Sequence, residues 1–150
     1  MSGSILALES DKKDIYQLQR AFQSAGLANR LTVVRNREEA VCYLKGTGVY
    51  GDRHAYPLPQ LVLLDITADI CDGIGVLKWM KEHPQLKTTV IVATGRELPQ
   101  WLAQNVYDLG ANAVFEKPND LEELSELVRS LEFLPGLLEI NQSRRNLSSQ

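Results

Sequence analysis

Four polar clusters in this sequence each follow directly on a short apolar run. Glu9-Ser10-Asp11 follows Ile5 to Leu8, Asp65 follows Leu61 to Leu64, Thr94-Gly95 follows Val90 to Ala93, and Glu116-Lys117 follows Ala113 to Phe115. Taken singly each has a bland reading, since an Asp after a strand caps a loop and a Lys before Pro is a solvated charge. Together they offer an acid cluster, a central aspartate, a hydroxyl and a lysine at one end of one sheet. That set suits a carboxylate that accepts a phosphoryl group while its neighbours neutralise charge on the equatorial oxygens.

Such convergence requires elements that aim the four clusters at one place. Each apolar run reads as a strand, and Leu61-Val62-Leu63-Leu64 is apolar throughout, as expected of a strand covered on both faces. Between the runs the period changes to three and four. Ile15, Leu18, Phe22 and Ala25 mark one face of a helix closed by Gly26. Leu31 to Val34 predicts the second strand, and Asn36 with Glu39 opens a helix through Leu44. Residues 46–59 form a long loop rich in Gly and Pro, and the turn at Asp72-Gly73 starts a helix stopped by Pro84. Leu98, Trp101, Leu102 and Leu109 predict an amphipathic helix closed by Gly110, with Trp79 and Trp101 as partly buried packing residues. Asn119 or Asp120 caps the last helix, whose stripe is Leu121, Leu124, Val128 and Leu131. Five strands alternating with five helices predict an α/β, (βα)5 doubly wound parallel sheet. In such sheets sites form beyond the carboxyl ends of the strands, where all four clusters fall.

Composition sets the outer bounds. The 150 residues are 44% hydrophobic with a net charge of -3, which suits one folded domain and excludes disorder over most of the length. The longest apolar runs are far short of the roughly 20 residues that span a bilayer, and Met1-Ser2-Gly3-Ser4 does not resemble a secretory leader. A cytoplasmic protein without membrane or nucleic-acid contact is expected; Arg144-Arg145 is too short a basic run to argue otherwise. Cys42 and Cys71 read as reduced structural thiols, and His54 and His83 lack metal-ligand spacing.

The residues now named carry a specific resemblance. Ile5-Leu6-Ala7-Leu8-Glu9 with Asp14 downstream, Leu63-Leu64-Asp65, Asp72-Gly73, Val92-Ala93-Thr94-Gly95, Gly110-Ala111 and Lys117-Pro118 resemble the receiver domain of two-component response regulators over residues 4–134. The loop from Gly48-Val49-Tyr50 to Leu58-Pro59, the Ala111-Asn112 pair and a C-terminal extension resemble the stand-alone regulators paired with phytochromes. The resemblance implies a flavodoxin-like fold with strand order 2-1-3-4-5. It implies that Asp65 accepts the phosphoryl group, that Lys117 and Thr94 contact phosphate oxygens, and that Gly95 leaves room for the phosphate. It also implies Mg²⁺ held by Glu9, Asp65 and the carbonyl of Thr67, with Ser10 at a weakened fourth position.

Three departures bear on that chemistry. Ser10 stands where the family carries a metal-binding acid, and a neutral hydroxyl is a poorer ligand for a hard cation. Asp69 stands where Pro is common, and Val114 replaces an aromatic that usually switches orientation on phosphorylation. The sequence therefore supports a phosphorelay regulator, served by a sensor histidine kinase or a histidine phosphotransfer protein and signalling by protein contact rather than as an enzyme. The alternative is a degenerate receiver that binds partners without phosphorylation. A dehalogenase-type phosphatase is disfavoured because Thr67 stands where its second acid belongs. A flavodoxin-type flavin carrier is disfavoured because Glu9-Ser10-Asp11 is acidic where a phosphate cradle is needed. Finally, residues 135–150 read as a tail. Phe133, Leu134, Leu137, Leu138 and Ile140 give this end more apolar surface than a solvated terminus needs, which predicts a homodimer packed through the last helix and tail.

Overall fold

Short aliphatic runs pair as parallel strands here because each is followed by a helix long enough to carry the chain back across the sheet. The computed structural model describes residues 3–131 together with 133 and 134. Its strands are β1 (Ile5–Leu8), β2 (Leu31–Val34), β3 (Leu61–Asp65), β4 (Val90–Gly95) and β5 (Ala113–Glu116). Its helices are α1 (Lys12–Ser24), α2 (Arg37–Lys45), α3 (Gly73–Lys81), α4 (Gln100–Asp108) and α5 (Leu121–Leu131). All strand pairs are parallel, as the alternating pattern predicts, and the order is β2-β1-β3-β4-β5, as the resemblance implies.

The strands' alternating side chains build two cores. One face gathers Leu6, Leu8, Val62, Leu64, Ile91 and Ala93 with Val76, Leu77 and Met80 of α3 and Val106 of α4. The other gathers Ile5, Ala7, Leu61, Leu63 and Val92 with Phe22 of α1 and Val128 and Leu131 of α5. Chain order reverses between β1 and β3, which places Glu9 and Asp65 at adjacent strand ends.

Local chemistry starts and stops the helices as their residue types suggest. Asp11 caps α1 by accepting from the Asp14 N–H at 2.9 Å, and Leu27 N–H closes the far end on Phe22 O across Gly26, whose φ is +74°. Asn36 caps α2 through Glu39 N–H at 2.9 Å, while the Glu39 carboxylate reaches back to Arg35 N–H at 3.0 Å. The long loop is ordered by Arg53, which donates to Tyr43 O and Leu44 O at 2.8 Å and to Tyr56 O at 3.1 Å. It thereby satisfies the Leu44 carbonyl at the end of α2 and adds to the Gly46 N–H bond on Tyr43 O. Asn112 exchanges two 2.8 Å bonds with the backbone of Ile91, fixing the entry to β5.

One expectation fails. Trp101 is 70% exposed and does not pack against the sheet. Helix α4 is short and meets the core mainly through Val106, one turn and a half further on, so Trp101 falls on the outer side. Trp79 is partly buried as expected and stacks on His83 with centroids 4.0 Å apart. The tail of residues 135–150, and with it the expected dimer contact, lies outside the described residues; just before it, Leu134 packs on the second core while Phe133 is exposed.

Candidate functional site

The four clusters do meet. Strand β3 delivers Asp65, β1 delivers Glu9, and the register that sets Asp65 beside Thr94 brings β4 to the same level. Lys117 follows β5, its N–H held by Gly95 O at 2.8 Å. Its ammonium reaches across the sheet to Glu9 and to Asp65 Oδ2 at 2.7 Å, and lies 3.3 Å from Asp14 Oδ2 on α1. Three carboxylates thus surround one lysine nitrogen. All four side chains are at most 13% exposed, so water screens them little.

The two oxygens of Asp65 are in different surroundings. Oδ1 accepts from Thr67 N–H at 2.8 Å, Thr67 Oγ1 at 3.1 Å and Ala68 N–H at 3.2 Å, so it is saturated. Oδ2 faces Lys117. Burial pushes the Asp65 carboxyl up, but the Lys117 contact and the Thr67 N–H outweigh it, and its pKa lies below the usual value. Glu9 goes the other way. Burial dominates, Lys117 only partly offsets it, and its pKa is pushed up to about 7. For Lys117, burial would lower the pKa, yet bonds to Asp65 and Glu9 raise it. Two neighbouring acids are thereby driven apart, Asp65 ionising more readily than Glu9.

Close approach explains two glycines. A Cβ on Gly73 would sit 2.2 Å from Asp65 O, where backbone would have to move, and a Cβ on Gly95 would sit 2.5 Å from Thr67 Cγ2, which would have to shift. The remaining predicted residues are present but less engaged. Thr94 Oγ1 is 3.5 Å from Leu64 O, at the outer limit of a hydrogen bond, and is not bonded to Asp65. Ser10 is half-buried, and the nearby Cys71 thiol donates to Arg35 O at 3.9 Å, its pKa raised by burial. Asp69 is exposed, and Asp11 is committed to its cap.

Two participants were not foreseen. Asp14 is the third carboxylate on Lys117, and Arg96, immediately after Gly95, forms an ion pair with its other oxygen. Arg96 also donates to Asn119 Oδ1 at 2.8 Å, and its N–H lies 3.3 Å from Thr67 Oγ1. Asp14 stood in the sequence as a matching residue without a role, and its position one turn into α1 was the available signal. Arg96 offered no signal: its side-chain partners lie 82 and 23 residues away.

Among the described residues no group of three His, Cys, Asp or Glu side chains is arranged to hold a metal ion. The donor chemistry nevertheless fits a hard divalent cation, because two buried carboxylates face one cationic centre.

A doubly wound sheet in this order, with a buried aspartate, an acid from β1 and a lysine from β5 at its carboxyl edge, defines a two-component signalling domain. The chain belongs to the response regulator receiver domain family, whose model matches residues 5–129. Its relatives include the response regulator Rcp1 of Synechocystis, 28% identical over 130 residues and 85% of each chain. The Mn²⁺-bound form of Rcp1 superposes with a TM-score of 0.74 at 27% identity, covering 87% of this chain and 92% of that one. The phosphorylated cyanobacterial phytochrome response regulator RcpA gives 0.77 at 28% identity, over 89% of this chain and 93% of that one. The response regulator RPA3017, of red light signalling in R. palustris, gives 0.81 at 26% identity, over 87% and 92%. No helix among the described residues is long and apolar enough to cross a membrane.

Proposed function

We propose that this receiver accepts a phosphoryl group on Asp65 from the phosphohistidine of a sensor histidine kinase or a histidine phosphotransfer protein. The observation that carries the reading is the Lys117 ammonium seated on a buried, ionised Asp65, 2.7 Å from Oδ2. With Oδ1 saturated, Oδ2 is the attacking oxygen. As Lys117 moves onto the incoming phosphoryl group, an Oδ2–P bond forms and the P–N bond breaks, the imidazole leaving with the electron pair. Thr94 turns its loosely held hydroxyl toward a second phosphoryl oxygen, and Gly95 leaves space for the group. Mg²⁺, held by Glu9, Asp65 and the Thr67 carbonyl with Ser10 at a weakened position, would supply further charge neutralisation. The phosphorylated form of RcpA supports this reading by similarity. The kinase is of phytochrome type, the setting is cytoplasmic, and output is by protein contact in a homodimer built on α5 and residues 135–150.

A second reading, a receiver that binds partners without phosphorylation, is favoured by Ser10, a neutral residue where the family carries a metal-binding acid. Phosphotransfer separates the two. A phosphorylated histidine kinase domain mixed with this chain should lose its label to Asp65; label retained on the kinase and absent here, even with Mg²⁺, would favour the second.

A further inference from the structure

The geometry points to Arg96 as a second phosphoryl-binding cation, parked on Asp14 until a phosphoryl group arrives on Asp65. The inference rests on the phosphoryl-acceptor reading above and adds a residue to it.

Three observations lead there. First, Arg96 shares a space with Lys117, which holds Asp65: the two line one cavity of about 350 Å³ together with Glu9, Asp14, Thr94 and Asn119. Its backbone is anchored close by, since its N–H lies 3.3 Å from the Thr67 hydroxyl that bonds Asp65 Oδ1 at 3.1 Å. Second, its guanidinium is joined to Asp65 through only two intervening side chains. It pairs with one oxygen of Asp14, whose other oxygen lies 3.3 Å from Lys117, which in turn holds Asp65. Asp14 therefore occupies both cations at once in the unphosphorylated protein. Third, the side chain is 46% exposed and so keeps room to swing, whereas Asp14 at 13% is fixed.

A phosphoryl group on Asp65 brings about two negative charges into this network and competes with Asp14 for both cations. Lys117 has one ammonium to share among three carboxylates. The guanidinium carries several donors in a planar fork and binds phosphoryl oxygens bidentately. By exchanging Asp14 for a phosphoryl oxygen it supplies charge neutralisation that Ser10, lacking a carboxylate, no longer draws from a metal. Asn119, at 2.8 Å from the guanidinium, holds it over the site during the exchange.

The test uses beryllofluoride, a phosphoryl mimic that adds to an aspartate, titrated into the full chain with Mg²⁺ and again in EDTA. Arg96→Ala should weaken binding by about 10- to 100-fold, most visibly in EDTA, and Arg96→Lys should recover part of it. Asp14→Asn, which removes the parking carboxylate and keeps Arg96, should bind more tightly than wild type. A purely structural latch between β4 and α1 predicts that both Arg96→Ala and Asp14→Asn weaken binding alike. That result, or unchanged affinity in Arg96→Ala, overturns the inference while leaving Asp65 as acceptor. Wild type that takes no beryllofluoride even with Mg²⁺ overturns the acceptor reading and this inference together.

Discussion

Replacing Lys117 by Met removes the one cation that three buried carboxylates share, while keeping most of the side chain's volume. Breaking a buried pair from one side costs about 3–5 kcal/mol, because the abandoned charges stay out of water. Against a typical total stability of about 5–15 kcal/mol that is a large fraction. The loss also depends on pH, and Glu9 sets the sign. Its folded pKa of about 7 exceeds the ordinary 4.5. Its protonation therefore contributes stability that is complete below 4.5 and is lost as pH rises through about 7. Without Lys117 the Glu9 pKa rises further, so at pH 6 a proton on Glu9 relieves the repulsion from Asp65, and at pH 8 that relief is diminished. Lys117→Met should lose the full amount at pH 8 and roughly 1–2 kcal/mol less at pH 6, each pKa unit being worth about 1.4 kcal/mol. Urea unfolding in EDTA at the two pH values measures both numbers; the matching fall in Tm is about 10–15 °C. A loss below about 1 kcal/mol, or one that is equal at pH 6 and pH 8, would refute the claim that Lys117 neutralises this pocket.

Three further outcomes follow from the same geometry. Ser10→Asp restores an anionic oxygen and should tighten Mg²⁺ binding by about tenfold in calorimetric titration; equal affinities would mean that another group already supplies that ligand. Gly73→Ala would place a Cβ 2.2 Å from Asp65 O, where backbone has to move, and should cost about 1–3 kcal/mol in thermal unfolding while displacing Asp65. Light scattering should give a dimer mass for the full chain and a monomer mass for a chain ending at residue 134; a monomeric full chain would dismiss assembly through the tail.

The strands were legible because burial on both faces of the central ones leaves its mark on every residue, while their order came with the family resemblance. Leu61 to Leu64 admits no polar side chain, and each such run ends in a polar residue where the sheet meets solvent. Asp65, Thr94 and Lys117 were legible for the same reason, since a strand end in a doubly wound sheet has one destination. Longer-range partnerships were not. Lys117 before Pro118 reads the same whether its ammonium is solvated or, as found, buried among Glu9, Asp14 and Asp65, because contacts across 52 to 108 residues leave no local pattern. Arg96 is the extreme case. Arg53 likewise sits in a polar loop with nothing to mark it as the group that closes the end of α2. The outward turn of Trp101 escaped because apolar spacing defines a face without saying how much of a short helix the sheet can cover.

The central claim is that Asp65 is the phosphoryl acceptor, and intact mass tests it most directly. Wild type and Asp65→Asn are incubated with a small phosphodonor and Mg²⁺, then weighed before the acyl phosphate hydrolyses. A single phosphoryl adduct is expected on wild type and none on Asp65→Asn. An adduct of undiminished yield on Asp65→Asn, or none on wild type, would contradict it.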